Sequence, residues 1–309
     1  MAMQGTLLDF IIGWLMIPWR ILQEAYWLYC PPEAHDEGEH ISTPADSANG
    51  TIDQRELRHW IHLSQRWWDP EGDFALLRGF NTCRIPMIVK TYRDLIAGED
   101  ATMVDGALPL TGARIIDVGC GAGFVAEPLA EYGADVTAVD MVPEIIEVAR
   151  THWTDLHGDA KGPEYLCASV ETLAQQREGQ FDMLLCLEVL DHVGNMPEFL
   201  RHCCKFVRPG GCAIFTTFNQ TVAAGLLGII GAEHILRIVP MHTHHLYRFI
   251  KPAVVTNILT EEGFRTLKVS GCFPVNPLAR RPKWMDIPYT GVTYALVAVK
   301  NESSPSVMK

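Results

Sequence analysis

Two stretches of this 309-residue chain combine residue types that do chemistry at spacings a fold can use. The first is Asp117-Val118-Gly119-Cys120-Gly121-Ala122-Gly123, with a further acid at Asp140. Glycines let a backbone approach a ligand closely, and an acid placed after the next strand accepts hydrogen bonds from both hydroxyls of a ribose. Phe124 stands where a dinucleotide fingerprint carries its third glycine, so a pyrophosphate cradle is disfavoured and a nucleotide-like cofactor without one is expected. The simpler alternative is a tight turn that holds nothing. The second stretch is Glu188, Asp191 and His192. Spacings of three and four place all three side chains on one side of a helical turn, and carboxylates with an imidazole suit a hard divalent ion. The same residues also suit a helix N-terminus capped by carboxylates with His192 packed beneath, and His192 also suits a general base.

Such residues need a scaffold that brings strand ends together. Short β-branched runs at 114–118, 135–139, 165–167, 181–186 and 212–217 alternate with helical periods at 125–132, 144–153 and 197–206. This succession predicts right-handed crossovers and a doubly wound α/β sheet, mostly parallel, with helices on both faces. Runs at 264–269 and 294–299, with no strong helical pattern between them, predict an antiparallel C-terminal strand pair. Two helices precede the sheet, at 52–68 and 85–96, separated by the turn Asp69-Pro70-Glu71-Gly72.

Composition narrows the partners. Hydrophobic residues make up 48% of the chain and charged ones 20%, enough to bury a full core. The net charge of -12 repels a polyphosphate backbone, so no nucleic acid partner is expected. The nine cysteines include no C-x-x-C pair, and several sit in apolar runs, which points to reduced, buried thiols. Residues 1–30 form an apolar segment whose uncharged core, 10–19, is too short to span a bilayer of the usual thickness, which takes roughly 18 residues or more. Trp14, Trp19, Tyr26 and Trp27 suit an interfacial anchor; a helix packed on the body and an atypical cleaved address are the alternatives. A polar linker at 31–50 separates it from a body at 51–300, and 301–309 is a polar tail. The long stretch 219–249 interrupts the alternation as a functional insert, with apolar 222–230, basic Arg237 and Arg248, and His242, His244 and His245. Those histidines are expected to be solvated or capping, and at least one of Trp67 and Trp68 is expected in the core.

DVGCGAG with Asp140 resembles the cofactor motif of class I S-adenosylmethionine-dependent methyltransferases. Arg66-Trp67-Trp68-Asp69-Pro70-Glu71-Gly72, Leu187-Glu188-Val189-Leu190-Asp191-His192-Val193, Gly231-Ala232-Glu233-His234-Ile235-Leu236-Arg237 and Phe249-Ile250-Lys251-Pro252 resemble the ubiquinone biosynthesis O-methyltransferases, over about 53–300. The resemblance implies a class I methyltransferase (Rossmann-like) fold and cofactor binding by Arg84, Gly119, Asp140 and Leu187, with a surface ion pair as the other reading of Arg84. It implies magnesium at Glu188, Asp191 and His192, although the family pattern is E-x-x-E-H and Asp191 is a methylene shorter. The implied reaction is methylation of a polyprenylated catechol or demethylquinol whose phenol is acidified by the metal. The insert then faces a membrane, helped by Arg237 and Arg248, and other ubiquinone-biosynthesis proteins are expected partners. The implied location is the matrix face of the inner mitochondrial membrane, with the bacterial cytoplasmic face as the alternative. Two further readings remain: a methyltransferase for another small catechol or phenol, and a lipid-bound assembly subunit without turnover.

Overall fold

The computed structural model describes residues 50–70, 72, 74–97, 108–236, 239–240, 243–276 and 282–302. The apolar segment 1–30, nearly all of the linker, Arg237, His242, Cys30 and most of the polar tail lie outside them. Eight strands form one sheet: β1 Arg114–Val118, β2 Asp135–Asp140, β3 Glu164–Cys167, β4 Phe181–Leu187, β5 Val207–Phe218, β6 Phe264–Pro274, β7 Trp284–Ile287 and β8 Thr293–Lys300. Their order is β3-β2-β1-β4-β5-β8-β6-β7. The first five run parallel, and β8 is antiparallel to both β5 and β6, so the last strand of the chain slides between its two neighbours.

Alternation along the strands builds two cores. Ile115, Met183, Leu185 and Ile214 face one way, against α1 Gln54–Leu63, α3 Asn81–Tyr92, α4 Ala126–Glu131 and α5 Pro143–His157. Ile116, Leu184, Cys186 and Phe215 face the other, against α6 Val170–Gln176, α7 Met196–Lys205 and α9 Pro252–Glu261. Every residue of β4 is buried, as expected for a central strand covered on both faces. Each fully buried Leu or Ile here contributes roughly 1.5–3 kcal/mol relative to exposure. The short helix α2, Ala75–Gly79, leads into α3, and α8, Val222–Ala224, continues as a wide π-type helical segment, Gly225–Ile235.

The expected first helix is shorter than the 52–68 pattern, because after Leu63 the chain tightens into a 3₁₀ turn, Ser64–Arg66. The second begins earlier, at Asn81, and its last turn widens into a π-type turn at Arg93–Ala97. The closing pair formed as expected, with β7 added as an edge strand on β6. No described helix is long and apolar enough to cross a membrane.

Candidate active site

The order of strands reverses between β1 and β4, and a crevice opens there at the carboxyl ends of the strands. Arg84, Gly119, Asp140, Leu187, Glu188 and His192 all line this one cavity. Gly119 follows β1 with φ +70°, and a Cβ on it would land on the Val189 side chain; Gly121, at φ +53°, faces Trp67 as closely. Only glycine fits either position. Asp140 accepts hydrogen bonds from the N–H groups of Gly121 and Val142, both at 3.0 Å, so this acid is tied to the glycine loop. Burial raises its pKa, against those two bonds.

The Arg-Trp-Trp motif holds this loop from outside. Trp67 is buried and stacks on Phe74 with ring centroids 4.0 Å apart. Trp68 donates its indole N–H to the Ala122 carbonyl at 3.0 Å and stacks on His152 at 3.5 Å. His152 Nδ1 in turn lies 2.9 Å from Glu127, whose carboxyl burial pushes up to about 8. It is Trp60, on α1, that meets the catalytic side of the cavity, edge-on to His192 at 5.1 Å.

Arg84 is no surface ion pair. It is 2% exposed on α3, packs its guanidinium on Phe80 and pairs with Glu188 at 3.0 Å. Asp117, also in the cavity and 3% exposed, has one carboxylate oxygen with no donor, and burial raises its pKa to about 7 against the pull of Arg84. In the sequence Asp117 stands out only as the first residue of the glycine motif. An incompletely partnered acid beside a buried arginine suits a zwitterion, and the α-ammonium and carboxylate of S-adenosylmethionine supply one.

The residues after β4 depart from the expected helical turn. Glu188 is the one non-glycine described residue at positive φ, +58°, and Leu190 to His192 form a tight turn instead of a helix. Asp191 and His192 therefore come together, while Glu188 is turned away to Arg84. Asp191, 4% exposed, accepts from the Thr217 hydroxyl at 3.0 Å. His192 Nδ1 lies 2.8 Å from Glu56 Oε2 and its Nε2 3.6 Å from Asp191 Oδ2. Burial opposes a proton on this imidazole, but Asp191 and Glu56 outweigh it and hold the pKa at about 9.

Two residues of the insert complete the site, and both correct expectations. Arg248 faces inward instead of toward lipid: it pairs with Asp53 and donates to Glu56 Oε1 at 3.1 Å and to the Asp191 carbonyl at 3.2 Å. His244 is neither solvated nor capping. Its Nδ1 lies 2.8 Å from Glu233 Oε1, and its ring centroid is 6.1 Å from that of His192. Glu233, fully buried, sits in the GAE-x-hLR stretch, which explains why that motif carries an acid.

A doubly wound sheet with a glycine turn and a following acid at its switch point is the architecture of the class I S-adenosylmethionine-dependent methyltransferases. The methyltransferase domain family matches residues 116–215. Among solved structures, the fold resembles magnesium protoporphyrin IX methyltransferase from Synechocystis PCC 6803, with a TM-score of 0.52 at 19% identity over 83% of this chain and all of that one. A methyltransferase from Thermotoga maritima gives a TM-score of 0.50 at 14% identity over 80% of this chain and 99% of that one. Curated relatives are closer in sequence. The ubiquinone biosynthesis O-methyltransferase of Idiomarina loihiensis is 34% identical over 260 residues, 84% of this chain and 97% of the relative. That of Xanthomonas oryzae pv. oryzae is 36% identical over 260 residues, 84% of this chain and the whole of the relative. The chain belongs to the ubiquinone biosynthesis O-methyltransferase family.

Proposed function

We propose that this enzyme transfers the methyl group of S-adenosylmethionine to a phenolic oxygen of polyprenylated catechol and demethylquinol intermediates of ubiquinone biosynthesis. The observation that carries the reading is the juxtaposition, in one cavity, of the cofactor positions Arg84, Gly119, Asp140 and Leu187 with His192. The sulfonium is an activated electrophile, so the protein's tasks are to align oxygen with methyl carbon and to exclude water. Trp60 and the rest of α1 cover the cavity and serve both tasks. A phenol titrates near 10, and a positive charge at His192, imidazolium or bound ion, brings that value toward neutrality. Glu56 and Asp191 hold the imidazole where the hydroxyl would sit. Of the magnesium ligands implied by the family, Asp191 and His192 lie together, and Glu188 is committed to Arg84.

Membrane contact is part of the proposal. Val222, Leu226, Leu227 and Ile235 are exposed on the insert, while Ala224, Gly225, Gly228, Ile229 and Glu233 on its other face are buried. A prenylated substrate would be met at the bilayer by this apolar face, with segment 7–29 as a second contact. Both relatives named above are bacterial, which favours the cytoplasmic face of a bacterial membrane over the mitochondrial matrix. Other proteins of the same biosynthesis are proposed partners.

The test is transfer of label from methyl-labelled cofactor to a short-tailed prenyl catechol, a demethylquinol and a simple catechol. Labelled prenylated products, with the simple catechol poorer, support the reading; preference for the simple catechol, or no transfer to any acceptor, overturns it. Liposome flotation tests the membrane contact. A chain starting at Thr51 with Val222, Leu226 and Ile230 changed to Ser should stay in the soluble fraction, and undiminished flotation contradicts it.

A further inference from the structure

The ligand atoms of Asp191, His192 and His244 all lie within 4.8 Å of one another, and Glu188 is not in this group. Each imidazole has its Nδ1 against a carboxylate, His192 against Glu56 and His244 against Glu233, both at 2.8 Å. A carboxylate at Nδ1 fixes the tautomer in which Nε2 carries the lone pair, and it aims that nitrogen away from itself. Two imidazoles so oriented, beside one buried carboxylate, make a donor set that fits a metal ion.

We propose that Asp191, His192 and His244 bind a divalent first-row transition ion of the zinc class, in place of magnesium on Glu188, Asp191 and His192. The donor set argues for this: two nitrogens and one oxygen suit zinc, iron, manganese or cobalt, whereas magnesium prefers an all-oxygen shell with several waters. Glu188 is removed from the set by its pairing with Arg84 at 3.0 Å, which leaves it with the cofactor. Three protein ligands leave positions open, as in catalytic metal sites, and two adjacent phenolic oxygens can occupy them. Binding displaces imidazole and phenolic protons to solvent and changes no oxidation state.

The third ligand comes from the insert. Glu233 belongs to the helical segment whose opposite face exposes Leu226 and Leu227, so the element proposed to meet lipid also holds His244 in place. The inference rests on the proposed O-methylation for the purpose of the metal, while the ligand set stands on geometry alone.

The experiment uses the full chain, stripped with chelator and titrated with cobalt(II), whose visible absorption reports its ligand field. A single cobalt should bind, be displaced by zinc, and resist magnesium in large excess. His244→Ala and Asp191→Asn should weaken cobalt binding by about 100-fold, and Glu233→Gln by about 10-fold, the ranges for a lost ligand support. Glu188→Gln should leave it within about 3-fold, as expected for a residue outside the coordination shell. His244→Cys provides a gain of signal, since a cobalt-bound thiolate adds a charge-transfer band in the near ultraviolet. Absence of cobalt absorption, equal competition by magnesium, a folded His244→Cys chain without that band, or loss of binding in Glu188→Gln would each overturn the site. Label transfer from the metal-stripped chain at the full rate removes the metal's role and leaves the methylation reading intact. Cobalt bound at these ligands without any methyl transfer upholds the site and removes the reaction.

Discussion

The two ends of the cavity are built by different means. The proposed cofactor end is one contiguous loop, 117–123, with an acid from the neighbouring strand, and its backbone bonds run from Gly119 and Cys120 to Val139. The catalytic end draws Glu56 from α1, Asp191 and His192 from the turn after β4, and Glu233, His244 and Arg248 from the insert. A loop fixed by the sheet binds the same cofactor whatever the acceptor, whereas the side-chain assembly above it is free to be specific. The comparison therefore predicts that the two ends fail separately.

The largest effect is expected from His192→Ala, which should lower the methyl-transfer rate by about 100-fold, the lower range for a positioned proton-handling group, with cofactor affinity unchanged. Rapid-quench measurement checks it, and a parallel loss of cofactor affinity would show that the ends are coupled. Next is Asp140→Ala, which removes the proposed acceptor for the ribose diol and should cost at least about 1.5 kcal/mol of cofactor binding by calorimetry, as for a charged hydrogen bond. Unchanged affinity in a folded variant would falsify the ribose assignment.

Asp117 sharpens the comparison through pH. Burial raises its pKa from the ordinary carboxylate range near 4 to about 7, so the stability linked to it is fully present below the lower value and lost as pH rises through the higher one. Asp117→Asn should therefore be more stable than the parent in the cofactor-free state, by a margin that widens as pH rises from about 4 toward 7 and then levels off. It should also bind cofactor more weakly. A margin independent of pH in thermal melts would place the cost elsewhere. Asp182 is the contrasting acid, at the amino end of the central strand β4. Burial disfavours its charge, but Arg114 and Arg208 more than offset this and lower its pKa.

The smallest effect is expected from Trp68→Phe, which keeps an aromatic ring on His152 and removes the donor to Ala122. Loss of one neutral hydrogen bond costs about 0.5–1.5 kcal/mol, so stability and cofactor affinity should fall slightly while the transfer rate holds. A rate loss larger than the affinity loss would mean that the tryptophan acts on the acceptor.

The contrast also explains what the sequence disclosed. Strand β1 matched its pattern residue for residue, and β2 to β4 nearly so, because buried parallel strands are short apolar runs between turn signals. The pattern for β5 began late because Pro209-Gly210-Gly211 reads as a turn, yet this segment stays in the strand through a shift of register against β4. Helix α6 is seven residues long, too short for a helical period to stand out, and β7 is an edge strand of four. At the glycine-loop end, neighbours in sequence are neighbours in space, so the placing of Gly119 and Asp140 in one cavity was legible. At the catalytic end, Glu56 and His192 are 136 residues apart, and no local spacing announces their contact. The tight turn at Glu188, with its positive φ, broke the one spacing argument that was available. His244 and Arg248 were visible as residue types, but whether they faced water or the site depended on how the insert folds back, which Phe218 decides by stacking on Phe249 under Gly228.

The separation of the two ends is tested most directly by loading the parent, Asp140→Ala and His192→Ala chains with methyl-labelled cofactor and adding prenylated catechol to the same samples. His192→Ala should retain cofactor like the parent but pass on about one hundredth of the label in the parent's time. Asp140→Ala should retain little cofactor, yet transfer what it holds at a rate near the parent's. Retention lost in His192→Ala, or transfer from bound cofactor abolished in Asp140→Ala, would contradict a site divided in this way.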